Sequence, residues 1–529
     1  MLGLCSHGIL MDLVGSPSDD HFLYPCTRSL LLVPIERTMN LFARKTLADL
    51  TEEANAEGQG TLRRHLGPWN LVLLGIGAII GAGLFVRTAA AAAEHAGPSV
   101  TLSFIVAAIG CALAGMCYAE FSAMTPVSGS AYTYSYATMG ELFAWIIGWD
   151  LVLEYALGAA TVAIAWSQYL NKLIANFIGP DYMIPYQFCH SPFEKSPDGV
   201  AGLINLPAIV ILCFLTMILV RGIKESAVFN AIVVSVKVLI VVLFIALGWQ
   251  FIQPANHQPF IPEPTTYGTH AFGGWWGVLG GAGVVFFAFI GFDAVSTVAQ
   301  ETKNPKRDMP IGILGSLVVC TVLYILFSYV LTGIAPYTDF RDPEKGKEAS
   351  VAYAIEQYMT GYGWLSNFIT VAILFGFSSV ILVMLLGQSR VFYSMARDGL
   401  VPSFFGELHP TYQTPSKSNW LFLVFVALFA GFIPDHVVGD MTSIGTLFAF
   451  ALVSIGIILM RRSDPDAPRP FRTPLVPLVP ILAVLVCGAM ILGLGKENWL
   501  RLLIWLAIGF VIYFGYSVKH SKVQRALRS

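Results

Sequence analysis

Gly75-Ile76-Gly77-Ala78-Ile79-Ile80-Gly81-Ala82-Gly83-Leu84-Phe85 lies in the middle of the first long apolar stretch of this chain. Glycine is a poor choice for a sturdy membrane helix, because each one loosens the backbone. A second apolar stretch, Phe286-Phe287-Ala288-Phe289-Ile290-Gly291-Phe292-Asp293, is interrupted by Gly291 and a carboxylate. Lipid tolerates unpaired backbone only where something else satisfies it. Paired interruptions in corresponding spans of two halves point to a binding site near the bilayer midplane.

Composition agrees with a membrane setting. The 529 residues are 56% hydrophobic and 12% charged, and the mean hydropathy of +0.68 lies outside the range of soluble chains. The eight cysteines are scattered, with Cys111, Cys117, Cys213, Cys320 and Cys487 inside apolar spans and no CxxC pair. They read as small buried apolar side chains. No GxSxG, phosphate loop or metal-ligand cluster supports an enzyme, and no cofactor or nucleic-acid partner is expected. A structural or receptor role would not require two broken spans.

Twelve apolar spans are predicted, near 68–92, 98–121, 140–175, 202–221, 226–250, 274–300, 310–334, 364–395, 419–433, 440–460, 475–494 and 499–518. Spans three and eight exceed a perpendicular crossing, which implies tilt. They are the third members of spans one to five and six to ten. With the broken first and sixth spans, this order predicts a five-plus-five repeat (68–250 and 274–460) and two extra helices (475–518), an all-α membrane domain over 61–520.

Basic residues set the expected topology. Arg63 and Arg64 precede span one, Arg221 and Lys224 follow span four, and Lys303, Lys306 and Arg307 follow span six. Arg390, Arg397 and Lys417 lie at or beyond the end of span eight, Arg461, Arg462, Arg469 and Arg472 after span ten, and Lys519, Lys522, Arg525 and Arg528 near the end. The 252–272 loop has no Lys or Arg, and the 336–350 loop offsets its Arg341, Lys345 and Lys347 with Asp339, Asp342, Glu344 and Glu348. Both termini, including the 521–529 tail, are therefore expected in the cytoplasm. Residues 1–60 read as a cytoplasmic lead without a span. Within it, Leu30-Leu31-Leu32-Val33 is too short to cross, and Met39 is the expected start.

Several motifs carry a resemblance. Leu74-Gly75-Ile76-Gly77 through Gly83-Leu84-Phe85, Gly129-Ser130-Ala131-Tyr132 and Gly148-Trp149-Asp150-Leu151 resemble the amino acid–polyamine–organocation superfamily. So do Glu301-Thr302-Lys303-Asn304-Pro305 with Asp308-Met309-Pro310, and Gly387-Gln388-Ser389-Arg390 with Arg397-Asp398-Gly399-Leu400-Val401-Pro402. The match covers about residues 60–515 and is nearest to bacterial relatives of the cationic amino acid transporters. It implies a LeuT-type fold in a multi-pass bacterial inner membrane protein, with an amino acid as cargo. No accessory membrane subunit is predicted.

The resemblance implies a site. The amides of Ala82, Gly83 and Leu84 would receive the substrate carboxylate, and the carbonyls of Phe287 and Ile290 its ammonium. A helix N-terminus favours an anion, and freed carbonyls favour a cation. The lining would comprise Ile79, Ala82, Gly83, Leu84, Phe287, Ala288, Ile290 and Phe377, with Phe287 as gate and Phe377 narrowing the pocket. The other reading of these glycines is tight helix packing. Among Phe286, Phe287, Phe289 and Phe292, two are expected to be core packing.

Lys237, in Ser235-Val236-Lys237-Val238-Leu239, lies too deep in span five to snorkel. An ionisable group at such depth is costly and marks a functional candidate. In proton-coupled relatives a lysine here faces carbonyls near Gly77 and Ile80 and the hydroxyls of Ser378 or Ser379. The alternative is a permanently charged strut between helices. Asp293 reads either as a helix cap or as a proton-linked gate. Glu154 is either a proton-relay or pocket group, or a carboxyl bonded to a neighbouring helix. Glu120 is expected at the solvated interface, and Glu301 and Arg307 are candidates for interior charge pairs.

The expected activity is proton-coupled symport of neutral L-amino acids into the cytoplasm, because the lining is Ile, Ala and Phe. The alternatives are a cationic amino acid or polyamine carrier, favoured if Glu154 reaches the pocket, and an obligate exchanger.

Overall fold

A computed structural model describes residues 40–45, 66–124, 130–221, 227–268, 270–342, 349–412 and 414–528, without the side chains of 227–230, 300, 301 and 528. The expectations for residues 1–39, including the start at Met39, and for Arg63, Arg64, Gly129 and Lys224 lie outside the described residues. So do those for Glu344, Lys345, Lys347, Glu348 and the Glu301 side chain.

The described chain is mostly helical. Among the described residues, eight helical stretches are long and apolar enough to cross a membrane: Gly83–Met124, Glu141–Phe177, Ala231–Phe251, Gly274–Ala299, Pro305–Ile334, Gly363–Arg397, Asp435–Ser463 and Lys496–His520. Shorter apolar helices, Pro68–Ile79, Leu206–Arg221, Ser416–Phe432 and Leu478–Gly493, lie in the remaining expected spans. Pro68 and Pro305 open their helices, where a missing N–H loses nothing. The 37 residues of Glu141–Phe177 and the 35 of Gly363–Arg397 exceed the roughly 20 that a perpendicular crossing needs.

One departure from an all-helical chain is a small hairpin in the loop after span five. There β1 (Thr265–Tyr267) pairs antiparallel with β2 (His270–Phe272), Thr265 opposite Phe272 and Tyr267 opposite His270. Arg341, from the loop after span seven, lays its guanidinium 4.5 Å from the ring centres of Tyr267 and Phe272. Its Nε donates to the Ala93 carbonyl at 2.7 Å. The hairpin is thereby tied to the far end of span one.

Span seven packs along spans one and two, and span eight along span three. This arrangement places side chains of spans five, seven and eight against the interrupted part of span one.

Candidate functional site

The first break follows directly from the glycine run. The helix ends at Ile79, the Ile80 amide makes a last bond to the Ile76 carbonyl at 2.9 Å, and Ile80 is extended with ψ 104°. Helical structure resumes as a π turn at Gly83–Arg87, with Ala82 preceding it. The Leu84 amide donates to the Gly81 carbonyl at 3.2 Å.

The second break is built differently. Gly274–Val285 tightens into a 3-10 turn at Phe286–Phe289, and Ile290 is extended with ψ 137°. Gly291 takes φ +112°, a left-handed conformation that side chains rarely adopt. A 3-10 segment, Asp293–Glu301, continues the chain.

The two breaks meet. A Cβ on Gly83 would fall on the Ala288 backbone, and one on Gly291 would lie 2.9 Å from the Ala78 carbonyl oxygen. Glycine at these positions lets the two interrupted backbones touch.

All eight expected lining residues are buried: Ile79, Ala82, Gly83, Leu84, Phe287, Ala288, Ile290 and Phe377. Phe377 packs 6.2 Å from Phe85 and edge-on to Tyr169 at 5.7 Å between ring centres. All four aromatics are buried in the core rather than two, and Phe286, Phe289 and Phe292 each pack edge-on against another ring (Phe450, Tyr324 and Tyr118). Among the described residues Phe287 has no such ring partner.

Lys237 is 1% exposed, and its Nζ donates to the Gly77 carbonyl at 2.8 Å. Its methylene chain runs over Gly376 of span eight, where a Cβ would stand 3.1 Å from Cε. Ile80 is buried in the extended residue that follows, while Ser378 and Ser379 are half-buried. The Ser378 hydroxyl donates back to Leu374 at 2.9 Å, within its own helix.

The carboxylates sort themselves. Asp293 is fully buried, and its Oδ2 accepts from the Tyr155 hydroxyl at 2.5 Å. Glu154 is fully buried beside Asp293, and the two carboxyl groups lie close enough to share a proton. Asp150, one turn earlier on the same helix face, is also buried with both oxygens unpaired. Glu120 is not at a solvated interface. It is fully buried, bonded to Arg461 at 2.8 and 3.0 Å and to the Thr473 amide at 2.7 Å. Arg461 and Thr473, both after span ten, supply these donors. Arg307 is exposed, and among the described residues it makes no interior ion pair.

Three features were not anticipated. Arg87, 2% exposed, pairs with Asp440 of span ten, and Asn498 donates to the second Asp440 oxygen at 3.2 Å. Lys45 pairs with Asp398, which also accepts from the Tyr132 hydroxyl at 2.5 Å. The Tyr324 hydroxyl lies 3.1 Å from the Ile79 carbonyl oxygen and 3.0 Å from that of Ala288. Arg87 and Asp440 do show in the sequence, as charges inside or beside apolar runs. Tyr324 gives no such signal.

Known proteins match the chain almost end to end. The amino acid permease family profile matches residues 66–518. A branched-chain amino acid permease of Bacillus subtilis is 44% identical over 486 residues, covering 92% of this chain and 99% of that protein. A methylthioribose transporter of the same organism is 41% identical over 92% of this chain and 100% of its own length. A vacuolar cationic amino acid transporter of Arabidopsis thaliana is 34% identical over 81% of this chain and 68% of its own. The superfamily expected from the motifs is therefore the right one: the chain belongs to the amino acid permease family of multi-pass membrane transporters.

Proposed function

We propose that the protein is a secondary active carrier that moves neutral, apolar L-amino acids into the cytoplasm together with protons. The observation that carries this reading is the contact between the two breaks at Gly83 and Ala288. A free amino acid has one anionic and one cationic end. The start of the second half-helix, with the Ala82 and Gly83 amides, suits the carboxylate, the Leu84 amide being bonded to Gly81. The carbonyls at Phe287 and Ile290 suit the ammonium, and Phe287 serves as gate. The side chain would meet Ile79, Ala288 and Phe377, which favours apolar cargo, as the name of the Bacillus subtilis branched-chain permease also does.

The architecture in this reading is the LeuT type. Twelve crossings form two inverted repeats of five, 68–250 and 274–460, with two added helices over 475–518. Both termini face the cytoplasm of a bacterial inner membrane, in line with the alternation of basic loops.

Lys237 is the coupling group. Protonated, it holds the Gly77 carbonyl just before the first break. Loss of the proton removes the charge from that bond, weakens it and lets the broken segment move. Glu154 and Asp293, beside the second break, serve as further proton sites, and Ile80, Ser378 and Ser379 complete the surroundings of the lysine.

Proteoliposomes with an imposed pH gradient and a panel of labelled amino acids test the reading. Uptake of leucine-like substrates driven by an acidic exterior is expected. Uptake only with internal amino acid would indicate an exchanger. Selective uptake of arginine or lysine would favour the second reading, a cationic carrier, for which the buried Glu154 carboxyl speaks.

A further inference from the structure

Tyr324 belongs to span seven, outside both interrupted segments, and is fully buried. Its ring is held by Phe104 at 5.5 Å and Phe289 at 5.2 Å between centroids. Its hydroxyl stands 3.1 Å from the Ile79 carbonyl of the first break and 3.0 Å from the Ala288 carbonyl of the second. In an unbroken helix Ile79 would accept from the amide of Gly83, and Ala288 from that of Phe292. The extended backbone at Ile80 and at Ile290 removes both bonds.

A phenol carries one proton. It can donate to one of these carbonyls at a time, and the other then faces an oxygen lone pair. Two acceptors at nearly equal distance leave the choice balanced, so a small relative shift of the two segments decides it. Unpaired carbonyls are costly where lipid excludes water, so the hydroxyl ties the two breaks together.

We propose that Tyr324 is a positioning residue of the carrier, whose one hydroxyl proton passes between Ile79 and Ala288 as the two broken segments move. This rests on the carrier reading above. The residue sets the rate at which the segments exchange positions and touches the substrate site only through its carbonyls.

Tyr324→Phe removes the hydroxyl and keeps the ring. In proteoliposomes, the maximal rate of leucine uptake should fall about tenfold or more while KM stays within about threefold of the parent. An unchanged maximal rate, or a change carried by KM alone, overturns the proposal. A second readout needs no substrate. Hydrogen exchange of the amides around 80–84 and 290–294 should quicken together by about tenfold in the variant. Quickening at one break alone, or at neither, overturns it. If the parent protein moves no amino acid, the carrier reading fails by itself, and the exchange measurement still decides the Tyr324 bridge.

Discussion

Lys237 Nζ donates to the carbonyl oxygen of Gly77 across 2.8 Å, joining span five to the segment that leads into the first break. The lysine is 1% exposed, and its stem lies against Gly376 of span eight. One titratable group therefore touches two helices on either side of the proposed site. Changing its charge changes what holds the first break in place.

Glutamine at this position can still donate to Gly77 but cannot carry a proton. Lys237→Gln should keep leucine counterflow between equal internal and external pools, yet lose accumulation driven by a pH gradient by about tenfold or more. Full gradient-driven accumulation in this variant would leave Lys237 a strut.

The contact of the two breaks predicts a sharp response at Gly83. Gly83→Ala places a methyl group on the Ala288 backbone, where neither partner is a flexible side chain. Overpacking of this kind costs about 1–3 kcal/mol, and the separation of the breaks should abolish uptake. Gly67→Ala, with nothing within 4 Å of the new Cβ, is the control and should behave as the parent does. Thermal unfolding and uptake, measured side by side, check both.

Arg87 and Asp440 form an ion pair shielded from solvent, with Asp435 3.7 Å from the guanidinium. Removing one partner of such a pair strands a buried charge at a cost of about 3–5 kcal/mol. Arg87→Ala should therefore destabilise more than the double variant Arg87→Ala/Asp440→Ala. A thermal-unfolding cycle over the four proteins measures the difference, and strict additivity would contradict the pairing.

Glu356, in the short helix Ser350–Tyr358 between spans seven and eight, is held by the ends of spans three and eight. Burial pushes its carboxyl upward, but bonds from Lys172, Ser366 and Asn176 and the nearby ammonium outweigh this and hold it below the ordinary glutamate value. The three donors lie 2.5, 2.7 and 2.8 Å from its oxygens. A folded pKa below the unfolded one adds stability above the unfolded value of about 4.3 and loses it as pH falls through the folded value. Glu356→Gln should lower the unfolding temperature at about pH 7, and the difference should close only as pH falls from about 4.3 through the lower folded value. A constant difference across that range would show the charge to be irrelevant.

The breaks were legible because their cause is local. Glycine at 81, 83 and 291 cannot be mistaken for helix-forming sequence, and Lys237 stands out in an apolar run. The ion pairs were not legible in the same way. Arg87 and Asp440 are 353 positions apart, as are Glu120 and the Thr473 amide. Only the packing of span ten against spans one and two brings them together. Glu120 was misplaced for that reason: a carboxylate near a span end looks solvated until the arginines that cover it are seen. Tyr324 was invisible because an aromatic in an apolar helix is ordinary, and its hydroxyl matters only once both breaks lie beside it.

A cryo-electron microscopy map of the protein in lipid nanodiscs with saturating leucine is the most direct measurement. The account predicts density for one amino acid at the junction of the breaks. Its carboxylate should lie within about 3 Å of the Ala82 and Gly83 amides, and its ammonium should face the Phe287 and Ile290 carbonyls. Leucine bound elsewhere, or spans one and six closed into continuous helices, would contradict it.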